Sequence, residues 1–298
     1  MNQLNKIRNR VNPKTQLILV LAIAILIIVI IILALNGRGA KSAAADTGLV
    51  FPSTSESQIS AVKSKVNDTL TYDIVNSEPE KYRGQIVRWG GKVFVEPEKD
   101  ANGVYLQAYA SESDKNFVIN YPNPKFDVKK DDYIIAYGVV EGRFTGKNAF
   151  GAEINVPQIT AAYIEKTSRS SALAPAQNSI PVNQQNAQNG FIVSIDKVEL
   201  AADETRVYLT VNNTSEEKVS FYTYDARLVA GSKQLEPISQ YGSGEELPSD
   251  FRNGIKSTGV LVFPKLDKNQ TVKLFLSKPY GEDYNKNWNE INFENIKI

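Results

Sequence analysis

The sequence predicts a mainly β protein: an N-terminal transmembrane helix, then a five-stranded β-barrel, then an antiparallel β-sandwich. Three observations predict it. Residues 17–35 form an unbroken apolar run. Residues 61–166 and 190–298 alternate apolar and polar side chains in short runs bounded by Gly, Pro, Asn and Asp, the pattern of half-buried strands. The two stretches are separated by polar chain, and 298 residues accommodate about two domains.

The run LILVLAIAILIIVIIILAL has no polar atom in any side chain and as a helix spans about 28 Å, close to the hydrocarbon thickness of a bilayer. In lipid the backbone must satisfy its own hydrogen bonds, so a single segment crosses as a helix despite its β-branched residues. Lys6, Arg8, Arg10 and Lys14 precede it without an acidic residue, so residues 1–16 are expected to stay cytoplasmic. The lipid bilayer is thus the partner expected for residues 17–35, in a cell membrane, with both domains extracytoplasmic. Ala43-Ala44-Ala45 offers a cleavage site, but the apolar run is longer than a signal peptide's, and an uncleaved single-pass anchor is expected.

Residues 36–60 are rich in Gly, Ala, Ser and Thr and read as a flexible tether. Residues 167–189 hold one charge, two prolines and many Ser, Ala, Gln and Asn. That is too little apolar surface to fold, and a disordered linker is expected.

In the first domain, 61–166, a short helical start at Thr71–Asn76 precedes five strand-like runs: Gln85–Val95, Val104–Ala110, Asn116–Tyr121, Tyr133–Gly142 and Gln158–Glu165. The first is long, with Gly90-Gly91 placed to bend it, and Asn102-Gly103 marks a hairpin before the second. Five strands entered by a bent first strand suggest a small closed barrel. The succession NSEPEKYRGQIVRWGGKV, GVYLQAY, KKDDYIIAYGVVEGRFTG and VPQITAAYIEK resembles OB-fold modules of exported proteins from Gram-positive bacteria. The resemblance implies a binding or assembly barrel. Such barrels bind on the outer face of their central strands, which by alternation would show Arg88, Lys92, Tyr105, Gln107 and Tyr109. Rings set between cations and an amide suit a sugar, a peptide or a stacked base. Alternatively Tyr105 and Tyr109 lie beneath the N-terminal helix or stabilise cross-strand pairs. Trp89 is expected in the core.

In the second domain, 190–298, Ile192–Leu200, Arg206–Asn212, Lys218–Val229, Gly259–Phe263, Thr271–Leu276 and Glu290–Ile298 read as strands, which favours an antiparallel sandwich. The order FIVSIDKVEL, RVYLTVNNTSEEKVSFYTYDARLV, STGVLVFPKL and VKLFLSK resembles Ig-like modules of Gram-positive surface proteins. The resemblance implies a spacer or interaction surface rather than an active site.

The 34 basic and 33 acidic residues nearly cancel, yet residues 1–55 carry a charge of +5 while both domains are slightly acidic. That disfavours nucleic acid as a partner, since binding its backbone needs a basic surface. With no His and no Cys, the chain has no Ser-His-Asp or Cys-His nucleophile, no disulfide and no N/S zinc site. Asp283, Asn285, Asn287, Asn289 and Glu294 have the spacing of a calcium loop, but Trp288 stands where its sharp turn needs Gly, so a solvated loop is expected. No catalytic residue, metal or cofactor is expected. The expected function is non-catalytic: binding a cell-envelope glycan or peptide, or, in other readings, serving as a structural subunit with an envelope protein or binding extracellular nucleic acid.

Overall fold

The computed structural model describes residues 42–111, 114–147, 153–238 and 245–298. The expected transmembrane helix, 17–35, lies outside the described residues. Among the described residues no helix is long and apolar enough to cross a membrane. The chain is mainly β and divides into two compact units between Thr167 and Ser168.

Unit 1 begins with residues expected to be tether, and from Ser42 onward they are seated on the fold. A 3-10 turn, Ala43–Asp46, is held by the Glu141 carboxylate, which accepts from Ser42 Oγ at 2.5 Å and from Ala43 N at 2.7 Å. Leu49 and Phe51 pack against clusters that include Ile86, Tyr137, Val139 and Ala162. The first helix, α1 (Glu56–Lys63), starts at a capping box between Ser55 and Gln58 and buries Val62. Two large apolar side chains and one cap thus order a stretch whose composition favours flexibility. The helix expected at Thr71–Asn76 is α2 (Tyr72–Ser77), with Thr71 as its N-cap.

Six strands follow: β1 (Ile86–Val93), β2 (Glu98–Lys99), β3 (Val104–Tyr109), β4 (Asn116–Tyr121), β5 (Tyr133–Lys147) and β6 (Glu153–Thr167). β1 pairs with β5 along Ile86–Lys92 and with β3 at Lys92 and Val93. β5 continues to β6, β6 runs parallel to β4, and β4 pairs with β3, which closes a ring of five strands; β2 extends it from β3. β1 thus has β5 along one edge and β3 at the end of the other, and Gly91 lets β3 and β4 come close. A Cβ at Gly91 would lie 3.0 Å from the Phe117 ring and 3.0 Å from the Tyr109 carbonyl. The ring's interior is filled by alternate residues, among them Val87, Leu106, Phe117, Ile119, Ile134 and Ile159. Trp89 lies in this core as expected: it is 4% exposed, and its Nε1 donates to the Leu70 carbonyl at 3.1 Å.

Unit 2 starts earlier than the expected boundary at 190. Residues 167–189 are not a disordered linker: Ser168 caps α3 (Arg169–Leu173), and β7 (Asn178–Gln188) follows. β7 pairs antiparallel with β8 (Phe191–Leu200) from Asn178↔Leu200 to Gln188↔Phe191. No side chain of β7 is buried, so its sequence shows no core pattern. Its backbone ladder and the partial packing of Ile180 and Val182 hold it as an edge strand, where Pro181 is tolerated beside a register shift.

The remaining strands are β9 (Glu204–Asn213), β10 (Val219–Ser220), β11 (Arg227–Ala230), β12 (Lys233–Leu235), β13 (Asp250–Phe251), β14 (Lys256–Pro264), β15 (Thr271–Leu276), β16 (Tyr280–Gly281) and β17 (Ile291–Lys297). The run expected as one strand at Lys218–Val229 is broken by a turn in which Ala226 N donates to Thr223 O. Two four-stranded sheets, β14-β9-β8-β7 and β12-β11-β15-β17, share one core, and a three-stranded sheet, β13-β10-β16, completes the unit. Phe191, Ile195 and Leu209 from one sheet meet Leu228, Leu274 and Ile296 from the other in that core, as in a β-sandwich.

Candidate functional site

The face expected to bind lies outside the ring of unit 1, and the strand register decides which of its residues meet. Lys92 stands opposite Tyr109 across β1 and β3, and Tyr109 stands opposite Asn116 of β4. One row further, Gln107 faces Val118, and beyond it Tyr105 stands between Glu98 of β2 and Asn120 of β4. Side chains directly opposite one another project on the same side of a sheet. Lys92, Tyr105, Gln107 and Tyr109 therefore share one continuous surface.

Arg88 does not join them. It stands opposite Tyr137 of β5, four residues and about 13 Å along β1 from Lys92. Tyr137 faces Tyr163 across β5 and β6, and the Lys63 ammonium from α1 sits over these rings at 4.9 Å and 5.3 Å. That side of the ring carries the N-terminal segment.

The four that do meet differ in availability. The Tyr109 ring stacks on Phe94 with centroids 3.9 Å apart and planes 16° from parallel, a cross-strand pair rather than a ring lying beneath the N-terminal helix. Tyr105 is half-buried and donates from its hydroxyl to Asp100 Oδ2 at 3.3 Å. Burial first, then the Asp100 charge and that hydrogen bond, holds the Tyr105 phenol above its usual pKa. Lys92 is engaged: its ammonium lies 3.1 Å from Asp131 Oδ1 and 5.6 Å from the Tyr133 ring centroid. Gln107 is only 7% exposed, so its amide belongs to the packed layer and not to an open surface.

Three residues not expected here join the face. Phe94 forms half of the aromatic stack, and alternation from Val93 and Val95 places it outward. Asn120 offers a polar side chain beside Tyr105. Glu98 contributes a carboxyl whose Oε2 is buried without a hydrogen-bond partner, and burial pushes its pKa up to about 7. Glu98 carries no signal in the sequence, because its two-residue strand is too short to show a period.

Chemically, this surface offers stacked aromatic area, a phenol, amides and one carboxyl that titrates near neutrality. It holds no group of three or more acidic side chains placed to bind a metal, nor does any other part of the described residues. In unit 2, residues with the calcium-loop spacing are held by local pairs. Glu294 pairs with Lys273 at 3.3 Å, and Asp283 Oδ1 accepts from Asn285 N at 2.9 Å.

No family model matches the chain, and no curated protein is similar to it. Among solved structures it is similar to a protein of unknown function from Listeria monocytogenes, at TM-score 0.31 and 11% identity, over 41% of this chain and 87% of that one. It is also similar to the yjhA protein from Bacillus subtilis, at TM-score 0.28 and 14% identity, over 33% of this chain and 80% of that one. Likeness at this level defines neither fold nor activity.

Proposed function

We propose that the chain is a single-pass membrane protein, anchored through residues 17–35, that holds an OB-like barrel and an Ig-like sandwich outside the cell and binds a cell-envelope glycan or peptide without catalysis. The observation that carries this reading is the shared outer surface of β1, β3 and β4. There the Phe94–Tyr109 stack and the half-buried Tyr105 lie within one register of Asn116 and Asn120. Apolar ring faces bordered by short polar side chains suit a ligand with both a flat apolar face and a hydrogen-bonding rim.

The closed order of five strands with its single parallel pairing supports the OB-like reading of unit 1. The two facing sheets of unit 2 support the Ig-like one. The uninterrupted apolar run and the basic residues before it support the membrane anchor and the orientation.

The experiment is retention of the full chain, in detergent micelles, on purified cell-wall sacculi. Wild type is retained, and the double variant Tyr105→Ala/Tyr109→Ala is released. Retention unchanged in the double variant removes this surface from the function.

A further inference from the structure

Among the described residues, every exposed tyrosine falls at one corner of unit 2. Tyr222 (38% exposed) and Tyr224 (78%) follow β10, while Tyr280 (50%) and Tyr284 (98%) lie on and just after β16. Ser220 pairs with Tyr280 across these strands, so the register sets the two tyrosine segments side by side. Large rings left in water at one place mark an interaction surface rather than a solvated loop. Beside them runs a groove of about 490 Å³, lined by Lys218, Lys278, Tyr280, Tyr284, Asn287 and Trp288 among others.

The groove is built before any ligand arrives. Glu217 accepts from Asp283 N at 2.7 Å and from Lys286 Nζ at 2.7 Å, which fixes the segment after β16. Gly281 makes room for that carboxylate, since a Cβ there would lie 2.6 Å from Glu217 Oε2. Asn189 Nδ2 donates to the Asn287 carbonyl at 2.9 Å and ties down the far end. A wall held this way loses little freedom on binding. The scaffolding leaves the rings over: Tyr280 is met by the Lys278 ammonium, 5.2 Å from its centroid, and Tyr284 is almost wholly exposed. Trp288 adds an indole N–H that is buried without an acceptor.

Flat rings, ammonium and amide donors and nearly balanced charge match the two-sided chemistry of a sugar, whose C–H face stacks on an aromatic ring while its hydroxyls bond at the rim. An extended peptide fits less well, because β16 offers only two residues of strand edge to pair with. We propose that this groove is a carbohydrate-binding site, with Tyr280 as the stacking platform, Tyr284 covering an adjoining sugar, and Lys278 and Asn287 bonding hydroxyls. It belongs to unit 2 and does not depend on the surface of unit 1 binding anything.

The test titrates the full chain in detergent micelles with two neutral probes, the hexasaccharides of glucose and mannose, neither of them the sugar of the sacculus, by calorimetry and by tryptophan fluorescence. At least one binds saturably, with a dissociation constant of about 10 µM to 1 mM, as an open aromatic groove gives. Tyr280→Ala weakens it about tenfold or more and Tyr284→Ala about threefold, while Tyr280→Phe stays within about twofold. Tyr284 is 98% exposed, so its removal acts on binding and not on folding. Tyr105→Ala/Tyr109→Ala leaves the hexasaccharide affinity unchanged even where it abolishes retention on sacculi. The proposal is overturned if no probe binds at about 5 mM, if binding survives Tyr280→Ala, if an extended peptide and no sugar is held, or if affinity follows the unit 1 pair.

Discussion

The guanidinium of Arg206, 1% exposed, donates to Glu199 Oε2 from Nη2 at 2.8 Å and from Nε at 3.2 Å. Around this pair, Glu204 accepts from Arg206 Nη1 at 2.9 Å, and the Tyr208 hydroxyl donates to Glu199 at 2.7 Å. Arg206 also donates to the Ala174 carbonyl, and Arg169 lies 3.3 Å from Glu204. The network therefore fastens the chain after Thr167 onto β8 and β9. Arg206→Ala removes the cation that Glu199 and Glu204 share, leaving them only Lys197, Tyr208 and Arg169, and is expected to destabilise unit 2 by about 3–5 kcal/mol. Denaturant melts followed by Trp288 fluorescence check this, and a loss under about 1 kcal/mol contradicts it.

The same network sets a pH dependence. Burial raises the pKa of Glu199, but hydrogen bonds from Lys197, Tyr208 and Arg206 outweigh it and hold the carboxyl below its ordinary value of 4.5. A carboxyl whose pKa is lowered on folding adds stability that is complete above its unfolded value and is lost as pH falls through the folded one. Unit 2 is expected to weaken progressively below 4.5, and Glu199→Gln to flatten that acid limb. Melts between pH 3 and 7 would show it (roughly the carboxylate range).

Glu98 carries the opposite sign. Burial lifts its pKa from 4.5 to about 7, so the folded state holds a proton that the unfolded state has given up. Stability of unit 1 is expected to fall as pH rises through that interval. Glu98→Gln removes the effect and stabilises unit 1 at pH 8, by about 1 kcal/mol after solvent screening. A variant whose melting temperature still falls between those two pH values contradicts the assignment.

β7 gives a kinetic prediction. Alternate amides between Asn178 and Gln188 face β8 across a paired edge. They are expected to exchange with deuterium at least about tenfold more slowly than unstructured chain. Exchange of residues 178–188 at the rate of free peptide would restore the disordered linker.

The main β elements were legible because their side chains alternate between core and solvent. Val87, Trp89 and Val93 on β1, or Val207, Leu209 and Val211 on β9, could hardly be read otherwise. β7 was missed because an edge strand buries no side chain, although Asn189-Gly190, both at positive φ, carried the hairpin signal at its end. The seated segment from Ser42 was missed because Leu49 and Phe51 are too few to form a pattern. At the candidate site, alternation places Tyr105, Gln107 and Tyr109 on one side of β3. It could not show that Arg88, about 13 Å along β1 from Lys92, lies opposite Tyr137 of β5 and short of the stretch that β3 borders. Nor could it show that Gln107 is packed, since burial of a polar residue depends on what covers it. The tyrosine corner of unit 2 was illegible because Tyr222 and Tyr280 come together only through the pairing of β10 and β16.

Retention of the full chain on purified sacculi, wild type beside Tyr105→Ala/Tyr109→Ala, tests the central reading most directly. The account predicts that wild type is held and that the double variant, still folded by its melt, loses about nine-tenths of the bound protein. Equal retention of the two proteins, or no retention of either, contradicts it.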